Sequence, residues 1–163
     1  MTVILDPHIK HSDNYFVFTE GEDYAAQGYD EEGNKINVFV QDPNEDADFV
    51  GTCWPGESVW IDFLNEKAQE YWGNLYQYNK FVGSSKIYHA WNDMNEPSVF
   101  SEETKTLPNL ARHYKADGTL VYHRDFHNGY GAFQQRSSYY GILKRDNNTR
   151  RPFVLTRSFF VGS

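Results

Sequence analysis

Thiols are almost missing from this chain. Its 163 residues include a single cysteine, Cys53, which excludes an internal disulfide and any metal cluster built from thiolates. Basic residues are in deficit: 15 Lys and Arg stand against 23 Asp and Glu, a net charge of −8. No basic stripe is available to neutralise phosphates, which argues against a nucleic-acid partner and against an anionic membrane surface. Apolar runs are short, and none has the length of a membrane-spanning helix. Met1 to Asp6 has neither the basic start nor the long apolar core of a secretory signal, so no signal peptide is expected in these residues. Repeats and low-complexity tracts are absent too. What is present is a chain of one-domain length, enough to bury a sizeable core. Aromatics make up 17% of it. That excess suits a carbohydrate-binding surface and a tightly packed core alike.

The densest chemistry lies in Trp91-Asn92-Asp93-Met94-Asn95-Glu96-Pro97-Ser98-Val99-Phe100. It comes after Ile87-Tyr88-His89-Ala90, whose β-branched and aromatic residues read as a strand. Pro97 cannot extend a sheet interior and disfavours helix at Glu96, so the strand should end near Asn92 or Asp93. Two carboxylates, two amides and large aromatics then sit at one strand mouth with no Lys or Arg close in sequence. Strand-end carboxylates are typical of a (β/α)8 barrel active site. A carboxylate pair flanked by aromatics also suits glycoside hydrolysis. The plainer reading is that Asp93 and Glu96 cap a helix or solvate a loop. Spacing alone does not say which of the two would attack.

Along the rest of the chain, Val3 to Leu5 reads as a buried strand stopped by Asp6-Pro7. Residues 11–50 are polar and broken by Gly21, Gly28, Gly33 and Pro43, and read as a loop-rich insertion. Within it, Tyr15–Phe18 and Ile36–Val40 are expected as short strands, and Asp42–Asp48 as a solvated acidic loop without calcium-loop spacing. Cys53-Trp54-Pro55-Gly56 is a turn carrying one large aromatic. Asn65 is a good N-cap for a helix over about 65–80, with Trp72, Leu75 and Tyr76 on one face. A strand over 86–92 comes next, so the order is a βα unit and then another strand, as a parallel sheet requires. The stretch from Phe100 to about His123 is irregular. His113, His123 and His127 lack a companion Cys or Glu at zinc spacing, so hydrogen-bonding histidines are expected and no metal. A helix to about Arg145 and a strand over Phe153–Thr156 complete the pattern. Asn147-Asn148-Thr149 is a glycosylation sequon, relevant only in a secretory compartment.

Several of these motifs together resemble glycoside hydrolase family 31, the α-glucosidase family. They are Asp6-Pro7-His8-Ile9-Lys10, Cys53-Trp54-Pro55-Gly56 with Asp62-Phe63, Trp91-x-Asp93-Met94-Asn95-Glu96, His123 to Gly131, and Arg151 to Ser163. The resemblance implies an α/β fold: part of a (β/α)8 barrel, roughly three of its eight strands, with the insertion at about 11–50. It implies Asp93 as catalytic nucleophile, and Trp54, Met94 and Arg157 as substrate contacts. Asp6, Asp62, Asn95 and Glu96 are then supporting residues. It implies no metal and no organic cofactor. Its substrates would be α-glucosides or glucosylated N-glycans, with a regulatory β-subunit as partner of the whole enzyme and the endoplasmic-reticulum lumen as its compartment. The implied chemistry is a retaining double displacement. The family's acid/base Asp belongs to a later Trp-x-Gly-Asp motif, so these residues alone are expected to be poorly active. The competing expectations are a sugar-binding piece without catalysis and a partner-binding piece that uses the acidic loop.

Overall fold

The computed structural model describes residues 1–163. In chain order the elements are β1 (Thr2–Leu5), β2 (His8–Lys10), α1 (Phe16–Ala25), β3 (Gly51–Cys53), β4 (Gly56–Trp60), α2 (Glu66–Asn74) and β5 (His89–Asn92). After them come β6 (Arg112–Tyr114), β7 (Leu120–Tyr122), α3 (His123–Phe126), a 3-10 turn (His127–Gly129), α4 (Tyr130–Arg145) and β8 (Val154–Thr156).

β1, β5 and β8 form one parallel sheet in that order. Its register aligns the three strand ends: Leu5 pairs with Asn92, and Asn92 with Thr156. The next residue on each strand is therefore Asp6, Asp93 or Arg157, so three charged side chains emerge abreast at one end of the sheet. Helix α2 precedes β5 and α4 precedes β8, the alternation of a (β/α) barrel segment. The sheet is open, with β1 and β8 as its edges.

Helix α4 lies on β5 and β8 and packs against α2. The two helices approach closely at a pair of glycines. A Cβ on Gly141 would fall 2.7 Å from the Gly73 Cα and carbonyl oxygen. Ser138 Oγ accepts from Trp72 Nε1 at 2.9 Å and from Tyr76 OH at 2.8 Å, which satisfies both aromatics inside the contact. At its other end α2 starts as expected: Asn65 Oδ1 accepts from the Lys67 and Ala68 amides. It stops at Asn74, short of the expected 80, and turns carry the chain onward.

Between β1 and α2 the chain builds a second, antiparallel sheet in the order β2-β4-β3. Trp54 and Pro55 are the two-residue tip of its β3–β4 hairpin, with Gly56 at φ 95° where a side chain would be strained. Ile36–Val40, expected as a strand, is buried beside it but makes only the isolated bridge Phe39–Ile61, with Val40 N–H donating to Trp60 O and Asp62 N–H to Val38 O. The expected strand at Tyr15–Phe18 is instead the start of α1. Its residues favour a strand locally, but helical spacing buries Val17, Phe18 and Gly21 together. At Gly21 a Cβ would meet the Phe39 ring at 2.6 Å, so tertiary packing overrides propensity. The expected irregular stretch before His123 contains the β6–β7 hairpin.

The aromatics divide between core and surface. Trp60, Phe63, Phe39, Tyr76 and Tyr130 are fully buried. Trp54, at 70% exposed, is the exception among the tryptophans singled out from sequence.

Candidate active site at the strand ends

The mouth is made where β1, β5 and β8 end. Arg157 joins its parts. Its Nε donates to Glu96 Oε1 at 2.6 Å and its Nη2 to Glu96 Oε2 at 2.8 Å, a two-pronged pair. Nη2 also lies 3.1 Å from Met94 Sδ. Asp93 Oδ1 is 3.1 Å from Arg157 Nε. The single proton on that nitrogen points at Glu96, so Asp93 Oδ1 has the charge nearby but no hydrogen bond. Burial alone would raise the Glu96 pKa, but the guanidinium and the Ser98 hydroxyl hold it below the usual range.

Asp6 completes the cluster from β1. Burial, and then the charge of Asp93, push its carboxyl up to about 6, against the pull of Arg157. Asp6 Oδ2 is 3.5 Å from His8 Nε2, and burial lowers the His8 pKa to about 4. Asp6 Oδ1, His8 Nδ1, Asn92 Oδ1 and Asp93 Oδ1 are all buried atoms without a protein hydrogen-bond partner. Of these, Asp6 Oδ1 and Asp93 Oδ1 belong to carboxylates at the strand ends, where buried polar groups would ordinarily be paired.

The loop after β5 is held by Asn95. Fully buried, it donates through Nδ2 to Thr156 Oγ1 at 2.9 Å and accepts through Oδ1 from the Ser158 amide at 2.9 Å. This ties the β5 mouth to the β8 mouth. Met94 takes φ 55°, a left-handed conformation that costs energy for a residue with a side chain. The Glu96–Pro97 peptide is cis.

The structure thus gathers Asp6, Asp93, Met94, Asn95, Glu96 and Arg157. It sets Trp54 and Asp62 apart. Trp54 stands at the hairpin tip with its ring edge-on to Phe100, 4.8 Å between centroids. It shares with Asp6 and His8 the lining of a largely apolar cavity of about 1060 Å³ along the free side of β1. We attribute that cavity to the open sheet edge, since Asp93, Glu96 and Arg157 do not line it. Asp62 is fully buried and bonds to Asn37, Leu64, Tyr114 and His113, not to the mouth. Sequence reasoning misses His8 as a neighbour of Asp6. The strand signal of His8-Ile9 after the Asp6-Pro7 break is the available clue.

Comparison with known proteins decides the family. The description "Glycosyl hydrolases family 31 TIM-barrel domain" matches residues 1–163. The chain belongs to glycoside hydrolase family 31. It is 42% identical to the glucosidase 2 subunit alpha of Schizosaccharomyces pombe over 163 residues, all of this chain and 16% of that protein. A crystal structure of glucosidase II alpha subunit in a Glc1Man2-bound form superposes with a TM-score of 0.83 at 39% identity, over 99% of this chain and 16% of that one. The same score, identity and coverage hold for an ER glucosidase II complex of the catalytic subunit with the binding domain of its regulatory subunit. The chain therefore spans about a sixth of the length of these relatives. No helix in it is long and apolar enough to cross a membrane.

Proposed function

We propose that this chain is a segment of the catalytic barrel of an α-glucosidase, with Asp93 as the nucleophile. The observation that carries the reading is the register Leu5–Asn92–Thr156, which sets Asp6, Asp93 and Arg157 abreast with Asp93 Oδ1 free of hydrogen bonds. A carboxylate oxygen that is oriented but uncapped is what attack on an anomeric carbon needs. In the first step an Asp93 oxygen bonds to the anomeric carbon as the leaving oxygen departs with a proton. In the second, water cleaves the glycosyl ester and returns the carboxylate. Arg157 and Glu96 orient the mouth, with Arg157 available to sugar hydroxyls through charge-assisted hydrogen bonds. Trp54, apart from the Asp93–Glu96–Arg157 group, would offer an aromatic wall only on the Asp6 side, where the two share a cavity lining. Asp62, Asn95 and Glu96 support the loops.

The double displacement needs a second carboxylate as acid and base. The sequence contains no Trp-x-Gly-Asp, so we assign that role to a segment outside these residues. Natural α-glucosides should then be turned over poorly by this chain alone. We read residues 1–163 as one segment of the barrel domain, with an excursion at about 11–50. The whole protein would act on glucosylated N-glycans in the endoplasmic-reticulum lumen with a regulatory subunit as partner. The similarity to the ER heterodimer supports that placement.

The test is intact-mass analysis after exposure to an activated fluoro-glucoside whose leaving group is fluoride. Fluoride departs with little help from an acid, so an absent acid does not block reaction. One adduct that maps to Asp93 and is lost in Asp93→Asn is the expected result. A folded, soluble chain that takes no adduct would contradict the assignment.

A further inference from the structure

A buried line of four polar side chains runs from the core toward the mouth, and the double displacement leaves it unused. His113 Nδ1 is 2.7 Å from Asp62 Oδ1, His113 Nε2 is 3.0 Å from His123 Nδ1, and His123 Nε2 is 2.9 Å from His127 Nδ1. Asp62 and His113 are fully buried and His123 is 1% exposed. Asp62 Oδ2 also accepts from Asn37 Nδ2 at 2.8 Å and Tyr114 N at 2.9 Å, and Oδ1 from Leu64 N at 3.2 Å. Those groups can only donate. Asp62 is therefore the acceptor at both oxygens, and His113 Nδ1 carries the proton between them.

With one proton per ring, that polarity passes down the line. His113 Nε2 accepts from His123 Nδ1–H, and His123 Nε2 accepts from His127 Nδ1–H. The last ring is left with an unprotonated Nε2 that has no protein partner. Burial lowers the pKa of both His123 and His127, so a second proton is disfavoured on either; Glu96 only partly offsets this at His127. His127 stands in the 3-10 turn ahead of α4. One turn on, Gly131 lies against the residue after Arg157: a Cβ there would fall 2.7 Å from the Ser158 carbonyl oxygen. Glu96 of the mouth acts on His127 through its charge, so the line ends on the side of the mouth.

We propose that Asp62, His113 and His123 are positioning residues that lock His127 with Nε2 as a hydrogen-bond acceptor for a hydroxyl of the bound sugar. The lock rests on the hydrogen bonds and on one proton per ring. The hydroxyl role rests on the sugar-site reading of the mouth.

The test starts with long-range proton–nitrogen NMR of the 163-residue chain labelled at histidine. All three rings should be protonated at Nδ1, with His127 Nε2 bare. Asp62→Asn turns an amide N–H toward His113 and should reverse the three rings, moving the His127 proton to Nε2. The wild-type spectrum carries this arm even if that variant fails to fold. In the second arm, His127→Phe should slow labelling of Asp93 by the activated fluoro-glucoside about tenfold, the worth of one hydrogen bond. His127→Gln, whose carbonyl can accept, should recover part of the rate. A proton on His127 Nε2 in the wild type overturns the lock. Unchanged labelling in His127→Phe overturns the hydroxyl role. A wild type with the Nδ1 pattern but no Asp93 adduct sinks the sugar-site reading, and the hydroxyl role with it, while the lock stands.

Discussion

Asp62 and Asp93 each sit just past a strand, and the fold treats them in opposite ways. Asp62 is sealed in the core, and four N–H groups meet its two oxygens. Asp93 lies at the open end of a parallel sheet with a guanidinium at 3.1 Å and an oxygen that no donor reaches. The first is spent on structure. The second keeps a lone pair in reserve, in company with a repelled carboxyl at Asp6. The number of donors a buried carboxylate has already recruited separates a scaffold acid from a working one, where sequence motifs mark both alike.

Substitutions should expose that contrast directly. Asp62→Ala leaves His113 and two amides without an acceptor in a dry core and takes one of the two acceptors of Asn37 Nδ2. It should cost about 3–5 kcal/mol of stability, seen as a large fall in the denaturant midpoint. Gly141→Ala drives a methyl into the Gly73 backbone; as overpacking of rigid neighbours it should cost about 1–3 kcal/mol, without changing the labelling of Asp93 in whatever fraction remains folded. Arg157→Ala breaks the pair with Glu96, but the arginine side chain is 46% exposed, so stability should fall by only about 0–1 kcal/mol. Labelling should fall far more, and the Glu96 pKa should rise as it loses its strongest stabilising partner. Asp93→Asn should change stability least, within about 0.5 kcal/mol, while abolishing the adduct. A loss of several kcal/mol in Asp93→Asn, or none in Asp62→Ala, would invert the comparison.

Acid dependence sharpens it further. Asp6 has a raised pKa in the fold, so its contribution to stability is fully present below its unfolded value of 3.8 and is lost as pH rises through about 6. His8 has a lowered one, so its contribution is present above 6.5 and is lost as pH falls through about 4. The two slopes oppose each other across nearly the same window. Asp6→Asn should therefore steepen the rise of stability with pH between about 4 and 6, read from denaturation at a series of pH values.

Legibility in the sequence falls with distance along the chain. The strands at Val3–Leu5 and Val154–Thr156 announce themselves through local apolar runs, and Asn65 announces its helix through its own side chain; the strand expected over 86–92 begins only at His89, with Lys86 and Ile87 in a turn. The mouth residues are legible too, because each strand ends in a charged residue. The line of histidines is not, because a spacing of ten residues reveals nothing until the β6–β7 hairpin pairs His113 with Val121 and brings His123 alongside. The same holds for α1, whose helical form depends on Phe39 meeting Gly21 across the core. Asp62 reads from its motif as a supporting residue, but three of its four donors, on Asn37, His113 and Tyr114, lie 25 or more residues away, so its sealed environment is invisible locally.

Three strand ends gather Asp6, Asp93 and Arg157 into one electrostatic unit, and a carboxyl-carbon NMR titration of Asp6 tests this central claim most directly. The expected midpoint is about 6 in the wild type, falling in Asp93→Asn and rising in Arg157→Ala. An Asp6 that titrates at its ordinary value, indifferent to both substitutions, would contradict it.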